Sequence, residues 1–150
     1  WMGQNKKTLV YGGANIGLME CIAKVAKDNG SMIIGVIPTK LEERGRTSDL
    51  VDVTFRTDNL SDRKDVMLNE SDVAVALPGG VGTLDEIFHV MAAATLDYHQ
   101  KKVIFYNING FWNGILDFLN GLEEKRFAHH PLNSYFAVAN NLRELIELLK

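Results

Sequence analysis

Short apolar runs and longer amphipathic stretches alternate along the whole chain. Residues 8–11, 32–37, 73–77, 103–106 and 136–139 are apolar runs of strand length, and residues 51–56 alternate as a half-buried strand does. Between them, residues 16–29 repeat apolar positions at helical spacing through Leu18, Ile22, Val25 and Ala26, and Gly30 marks the stop. Residues 60–71, 82–96, 114–122 and 142–149 also read as helices, with Asp58, Asn59 or Ser61 available to cap the first of them. Pro38 ends the second strand. The polar segment 39–50, with Arg44-Gly45-Arg46 in its middle, reads as a mobile loop, and residues 107–113 around Gly110 read as a loop. Strands apolar on both faces and separated by helices predict an α/β fold: a doubly wound parallel sheet covered on both sides. Such sheets take ligands at the carboxyl ends of their strands.

The chain has 150 residues, so a single domain over residues 1–150 is expected. Its formal net charge is −3 with no basic block, which argues against a nucleic-acid partner. It contains no apolar run long enough to span a bilayer and no signal-peptide pattern, so a soluble, non-secreted protein without a membrane partner is expected. Cys21 is the only cysteine; an intrachain disulfide is therefore excluded, in keeping with a reducing cytoplasm. Residues 1–7 have an apolar start and a lysine-rich end with a strand directly behind. They read as the tail of a helix, with a strand and most of a helix expected upstream.

The chemistry concentrates where the run 73–77 enters Pro78-Gly79-Gly80-Val81-Gly82-Thr83-Leu84-Asp85-Glu86. A strand that delivers a glycine-rich turn to a helix N-terminus makes an anion seat, because the first amides of the helix lack partners and its dipole favours negative charge. Gly79, Gly80 and Gly82 allow close approach of the backbone, and Thr83 adds a hydroxyl donor. Glu86 lies one turn further on, on the face of Gly82 and Thr83. A carboxylate there would repel phosphate at close range, so its natural work is on the atoms beside a phosphate. A second glycine-rich turn, Gly12-Gly13 to Gly17, follows the first strand. Two such turns suggest a nucleotide ligand.

Other readings are weaker. Gly12-x-Ala14-x-x-Gly17 approximates a dinucleotide fingerprint, but the acid that should end the next strand is replaced by Ile37-Pro38-Thr39. Neither turn supplies the Gly-Lys-Ser/Thr of a Walker A loop. Arg63 and Lys64 are either a solvated helix face or part of the site. His89 reads more simply as a structural histidine, and His99, His129 and His130 lack metal-ligand spacing. Ile87, Val90, Met91 and Ala94 form a core stripe. No serine stands in a nucleophile elbow, and no lysine has the context of a pyridoxal-phosphate Schiff base, so no cofactor is called for.

The ordered set Tyr11-Gly12-Gly13 to Gly17-Leu18-Met19, Arg63-Lys64 to Met67, and Pro78 to Glu86 resembles the Lonely-guy family. These are cytokinin-activating nucleotide phosphoribohydrolases long labelled lysine decarboxylases. The resemblance runs from about residue 8 to 122 and continues weakly to the end. It implies a Rossmann-like fold, a homodimer with composite sites, and hydrolysis of the N-glycosidic bond of a cytokinin nucleotide or AMP. A non-catalytic nucleotide-binding or sensing module is the alternative. Arg63 and Glu86 fall on the family's catalytic pair. Gly79, Gly80, Val81, Gly82 and Thr83 fall on its phosphate turn, and Gly13, Met19 and Lys64 lie in the motifs near the nucleotide. The family's first strand, with its Gly-Ser turn, is not in this sequence. Ala14 replaces a common glycine, and Ala92, Ala93 and Thr95 stand where the family often has Thr-Trp-x-Gln.

Overall fold

A computed structural model describes residues 1–128 and 130–150. The chain divides into two compact units, Trp1–Ser71 and Asp72–Lys150. Each is an α/β unit built on a three-stranded sheet, and every strand ladder is parallel.

In the first unit, β1 (Leu9–Tyr11), α1 (Gly17–Asp28), β2 (Ile33–Pro38), α2 (Thr39–Glu43), β3 (Val53–Thr57) and α3 (Leu60–Glu70) follow in order. The sheet order is β1-β2-β3, with Tyr11 opposite Gly35 and Gly35 opposite Thr54. Tyr11, Ala23, Ala26 and Ile33 form its core, with Leu9, Leu50 and Val51 packed against them. The buried face of α1 is turned from the one its spacing suggested. Ala23 and Ala26 are buried, whereas Leu18 and Val25 are exposed. The alanines lie inward because a small side chain lets the helix pack closely on the strands. Asn59 caps α3, its Oδ1 accepting from the amides of Ser61 at 2.8 Å and Asp62 at 2.9 Å.

The segment 39–50, expected to be loop throughout, opens with a helix and is tied to neighbouring elements. Pro38 opens the short helix α2, and Arg56 on β3 grips Glu42 through Nε and Nη2 at 3.0–3.1 Å. Residues 46–48 then pair antiparallel with the turn after β1, Ala14 opposite Thr47. Asp52 fastens the end of the segment. One oxygen accepts from the Ile33 amide at 2.9 Å, the other meets Lys27 Nζ at 3.0 Å, and Lys27 also donates to the Leu50 carbonyl. Long-range backbone and ion-pair bonds of this kind leave no local periodicity in a sequence.

In the second unit, β4 (Ala74–Ala76), α4 (Val81–Thr95), β5 (Val103–Tyr106), α5 (Asn113–Glu124), β6 (Phe136–Ala139) and α6 (Leu142–Leu148) build a sheet of order β4-β5-β6. Phe105, at its centre, is fully buried and meets Trp112 and Phe136 edge to face at centroid distances of 5.7 and 5.5 Å. Ile87, Val90, Met91 and Ala94 all face inward, as the stripe predicted. Asn141 caps α6, and Glu144 reaches back to the Asn140 amide at 2.7 Å. Among the described residues no helix is long and apolar enough to cross a membrane.

Two outcomes follow from this packing. Phe105→Ala should lower unfolding free energy by about 3–5 kcal/mol, read from urea melts. The Ile33 amide, and then the Lys27 ammonium, hold the Asp52 carboxyl below its ordinary range. A depressed folded value stabilises above the ordinary aspartate pKa, and the contribution fades as pH falls through the depressed one. Asp52→Asn should therefore be less stable than the parent near about pH 7, with the gap narrowing as pH falls below the ordinary aspartate range. An unchanged gap in paired melts would contradict this.

Candidate functional site

Each glycine-rich turn sits at the carboxyl end of a strand. In the first unit, β1 ends at Tyr11 and the chain passes through Gly12 and Gly13 toward α1. Gly13 has φ +71°, and a β-carbon there would overlap the Ile37 side chain. A β-carbon on Gly12 would overlap Arg63 Nη2, so the guanidinium lies directly on this glycine. Arg63 reaches it from α3, and its Nε donates to the Val36 carbonyl at 3.1 Å. The Met19 sulfur closes the other side, 3.6 Å from the same point. Gly12, Gly13, Met19 and Arg63, which lie far apart in sequence, are thus brought together. Lys64 follows on α3, half-buried and about 100° further round the helix.

Beneath this turn the Tyr11 side chain is buried. Burial pushes its phenol up, the Ser48 side chain works against that, and the Glu20 carboxylate adds to it.

In the second unit, Leu77 and Pro78 lead from β4 to Gly79 and Gly80, and α4 begins at Val81. A β-carbon on Gly79 would overlap Thr83 Oγ1, so the threonine hydroxyl folds back over that glycine. Gly80 is the N-cap and offers no side chain, in contrast to the asparagines that cap α3 and α6. Gly80, Val81 and Gly82 are exposed, Val81 to 82%. The start of α4 is a solvent-facing row of backbone groups with a helix dipole behind it, which suits an anion. Glu86 is half-buried one turn along, three residues from Thr83 and four from Gly82.

Residues that sequence reasoning missed brace this second turn. The Trp112 indole donates to the Ala76 carbonyl, the last of β4, at 3.1 Å. The Trp112 amide donates to Asn107 Oδ1 at 2.7 Å, the Asn107 amide to the Ala139 carbonyl at 2.7 Å, and Asn107 Nδ2 to Asn113 Oδ1 at 2.9 Å. An asparagine directly after a buried strand, five residues before a tryptophan, was the available signal. His89 sits half-buried within α4. His99 lies beyond the other end of that helix, its Nδ1 accepting the Lys101 amide at 3.0 Å, and burial lowers its pKa. A cavity of about 340 Å³ opens there, beside Ala94, Lys101, His130 and Tyr135, and no residue of the glycine motifs lines it. His129 lies outside the described residues.

The sequence profile of the family described as "Possible lysine decarboxylase" matches residues 19–149. The chain belongs to this family, the Lonely-guy family. It is 36% identical over 142 residues to "Probable cytokinin riboside 5'-monophosphate phosphoribohydrolase LOGL6" of Oryza sativa subsp. japonica, covering 95% of this chain and 57% of the relative. It is 35% identical over 142 residues to "Cytokinin riboside 5'-monophosphate phosphoribohydrolase LOG3" of Arabidopsis thaliana, covering 95% and 66% respectively. The chain thus spans less than two thirds of the length of these curated relatives. Among solved structures, the molybdenum cofactor carrier protein of Chlamydomonas reinhardtii aligns with a TM-score of 0.73 and 25% identity, over 99% of this chain and 78% of that one.

The seat of Arg63 on Gly12 can be tested through stability. Gly12→Ala must displace the guanidinium and should cost about 1–3 kcal/mol. Gly82→Ala meets open space inside a helix and should be neutral or stabilising by up to about 1 kcal/mol. Thermal melts of the two variants with equal midpoints would show that Arg63 does not sit there.

Proposed function

We propose that this protein is a nucleoside 5'-monophosphate phosphoribohydrolase, which cleaves the N-glycosidic bond of cytokinin nucleotides or AMP to free base and ribose 5-phosphate. The observation that carries the reading is the uncapped, solvent-facing start of α4 with the Glu86 carboxylate one turn behind it. The names of the curated relatives support the same chemistry.

In this reading the 5'-phosphate binds the amides from Gly79 to Gly82 and the Thr83 hydroxyl. Anchoring the phosphate makes attack on the sugar effectively intramolecular and spends binding energy remote from the reacting carbon. The bond from C1' to the base nitrogen breaks through an oxocarbenium-like transition state, and a water oxygen bonds to C1'. Glu86 orients that water, accepts its proton and stabilises positive charge on the sugar. Arg63 offsets the negative charge that builds on the departing base, or holds ribose and phosphate. A guanidinium keeps its charge and so suits electrostatic help better than proton donation. The family motifs imply further nucleotide contacts from Gly13, Met19 and Lys64. We place the protein in the cytoplasm, where the exposed Cys21 stays reduced. We further propose a homodimer, for which the exposed Leu96 and Tyr98 just after α4 offer apolar surface.

The likeness to a molybdenum cofactor carrier supports a second reading, a non-catalytic nucleotide-binding or sensing module of the same fold. Both readings use the same anion seat, and only the first needs Glu86. Glu86→Gln should lower base release from AMP or isopentenyl-AMP by at least about 100-fold and leave AMP affinity within about three-fold. Near-parental turnover in the variant removes Glu86 from the chemistry. Nucleotide binding without any base release by the parent favours the binder.

A further inference from the structure

Residues 46–48 form a strap across the first glycine-rich turn. The Ser48 amide donates to the Gly13 carbonyl at 2.8 Å, and the Asn15 amide to the Arg46 carbonyl at 3.2 Å, on either side of the Ala14–Thr47 bridge. This is a non-hydrogen-bonded antiparallel pair, so the strap clamps the residues flanking Ala14. Asn15 is one residue from Ile16, the N-cap of α1, which has no side-chain cap of its own. The strap is therefore the nearest restraint on where α1 starts, and the first turn of α1 carries Met19, packed against Gly12.

Ser48 is the anchor of the strap. It is buried, and its Oγ accepts the Leu50 amide at 3.2 Å, closing a serine turn that fixes the direction of its own amide toward Gly13. The same side chain lies by the buried Tyr11 hydroxyl, at the residue directly before Gly12. One small side chain thus lies where the end of β1, the strap and the glycine turn meet. Arg44 and Arg46, by contrast, are exposed.

We propose that Ser48 is a positioning residue for nucleotide binding: through the strap it holds the Gly12–Gly13 turn and the start of α1 in their binding geometry. The proposal rests on the nucleotide reading above and extends it to a residue outside the glycine and arginine motifs. Ser48 touches no reacting atom in this scheme, so its loss weakens binding more than turnover at saturation.

The test measures AMP affinity, saturated turnover and amide hydrogen exchange in Ser48→Ala, with Thr47→Ala as the neighbouring control. Ser48→Ala is expected to weaken AMP binding about five-fold or more, the scale of one lost hydrogen bond, with turnover within about two-fold. The Asn15 amide should exchange faster, and Thr47→Ala should stay within about two-fold of the parent on each measure. Parental AMP affinity in Ser48→Ala, or an equal loss in Thr47→Ala, overturns the proposal. Should Ser48→Ala fold poorly, the parent decides: AMP should slow exchange at the Ser48 and Asn15 amides, and unchanged exchange refutes the role. If the parent binds no AMP, the nucleotide reading fails. The Asn15 exchange rate in Ser48→Ala then still shows whether Ser48 sets the turn.

Discussion

The first unit is organised around a guanidinium lying on a glycine. Arg63 reaches over β1 and β2 from α3, bonds the Val36 carbonyl, and rests on Gly12, where any side chain would collide with it. That one contact explains several features at once. Gly12 must lack a β-carbon. The Asn59 cap, four residues upstream on the chain, fixes where α3 begins and hence where Arg63 points. Met19 and Ile37 then fill what the two glycines leave open.

The second unit solves a different problem with the same device. There Thr83 folds over Gly79, and the helix start remains open to solvent because its N-cap is a glycine. Keeping such a turn in place without local capping requires support from behind. Trp112 supplies it by bonding the end of β4, and Asn107 supplies it by tying Trp112 to the strand beyond. The buried ring cluster of Phe105, Trp112 and Phe136 makes that support stiff.

Much of this was legible from residue order alone. β5 and β6 coincide with residues 103–106 and 136–139, because an apolar run bounded by polar residues has few alternatives. Asn59 was among the three residues named as caps for α3, and the strand–glycine–helix junction at Gly79 fell where the pattern put it. The inward face of α1 was legible only in part: Ala26 of the spaced set is buried, but Leu18 and Val25 are exposed, and Ala23, outside that set, lies inward because close packing favours a small side chain. The strap was not legible. Backbone bonds between Gly13 and Ser48, 35 residues apart, leave no periodic pattern in the sequence. The polarity of residues 39–50 is real, but it records solvent exposure and says nothing about tethering.

The Asn107 knot has a further consequence. Its bonds close on Trp112, Asn113 and Ala139, while Ile108 and Phe111, at the tip between them, stay partly open to solvent. Phe111 nevertheless packs edge to face on Trp112 at a centroid distance of 4.8 Å, so the tip meets the strands below through that one ring. A surface tip held this way accepts change at Ile108 more readily than at Phe111, whose ring leans on the brace of the anion seat.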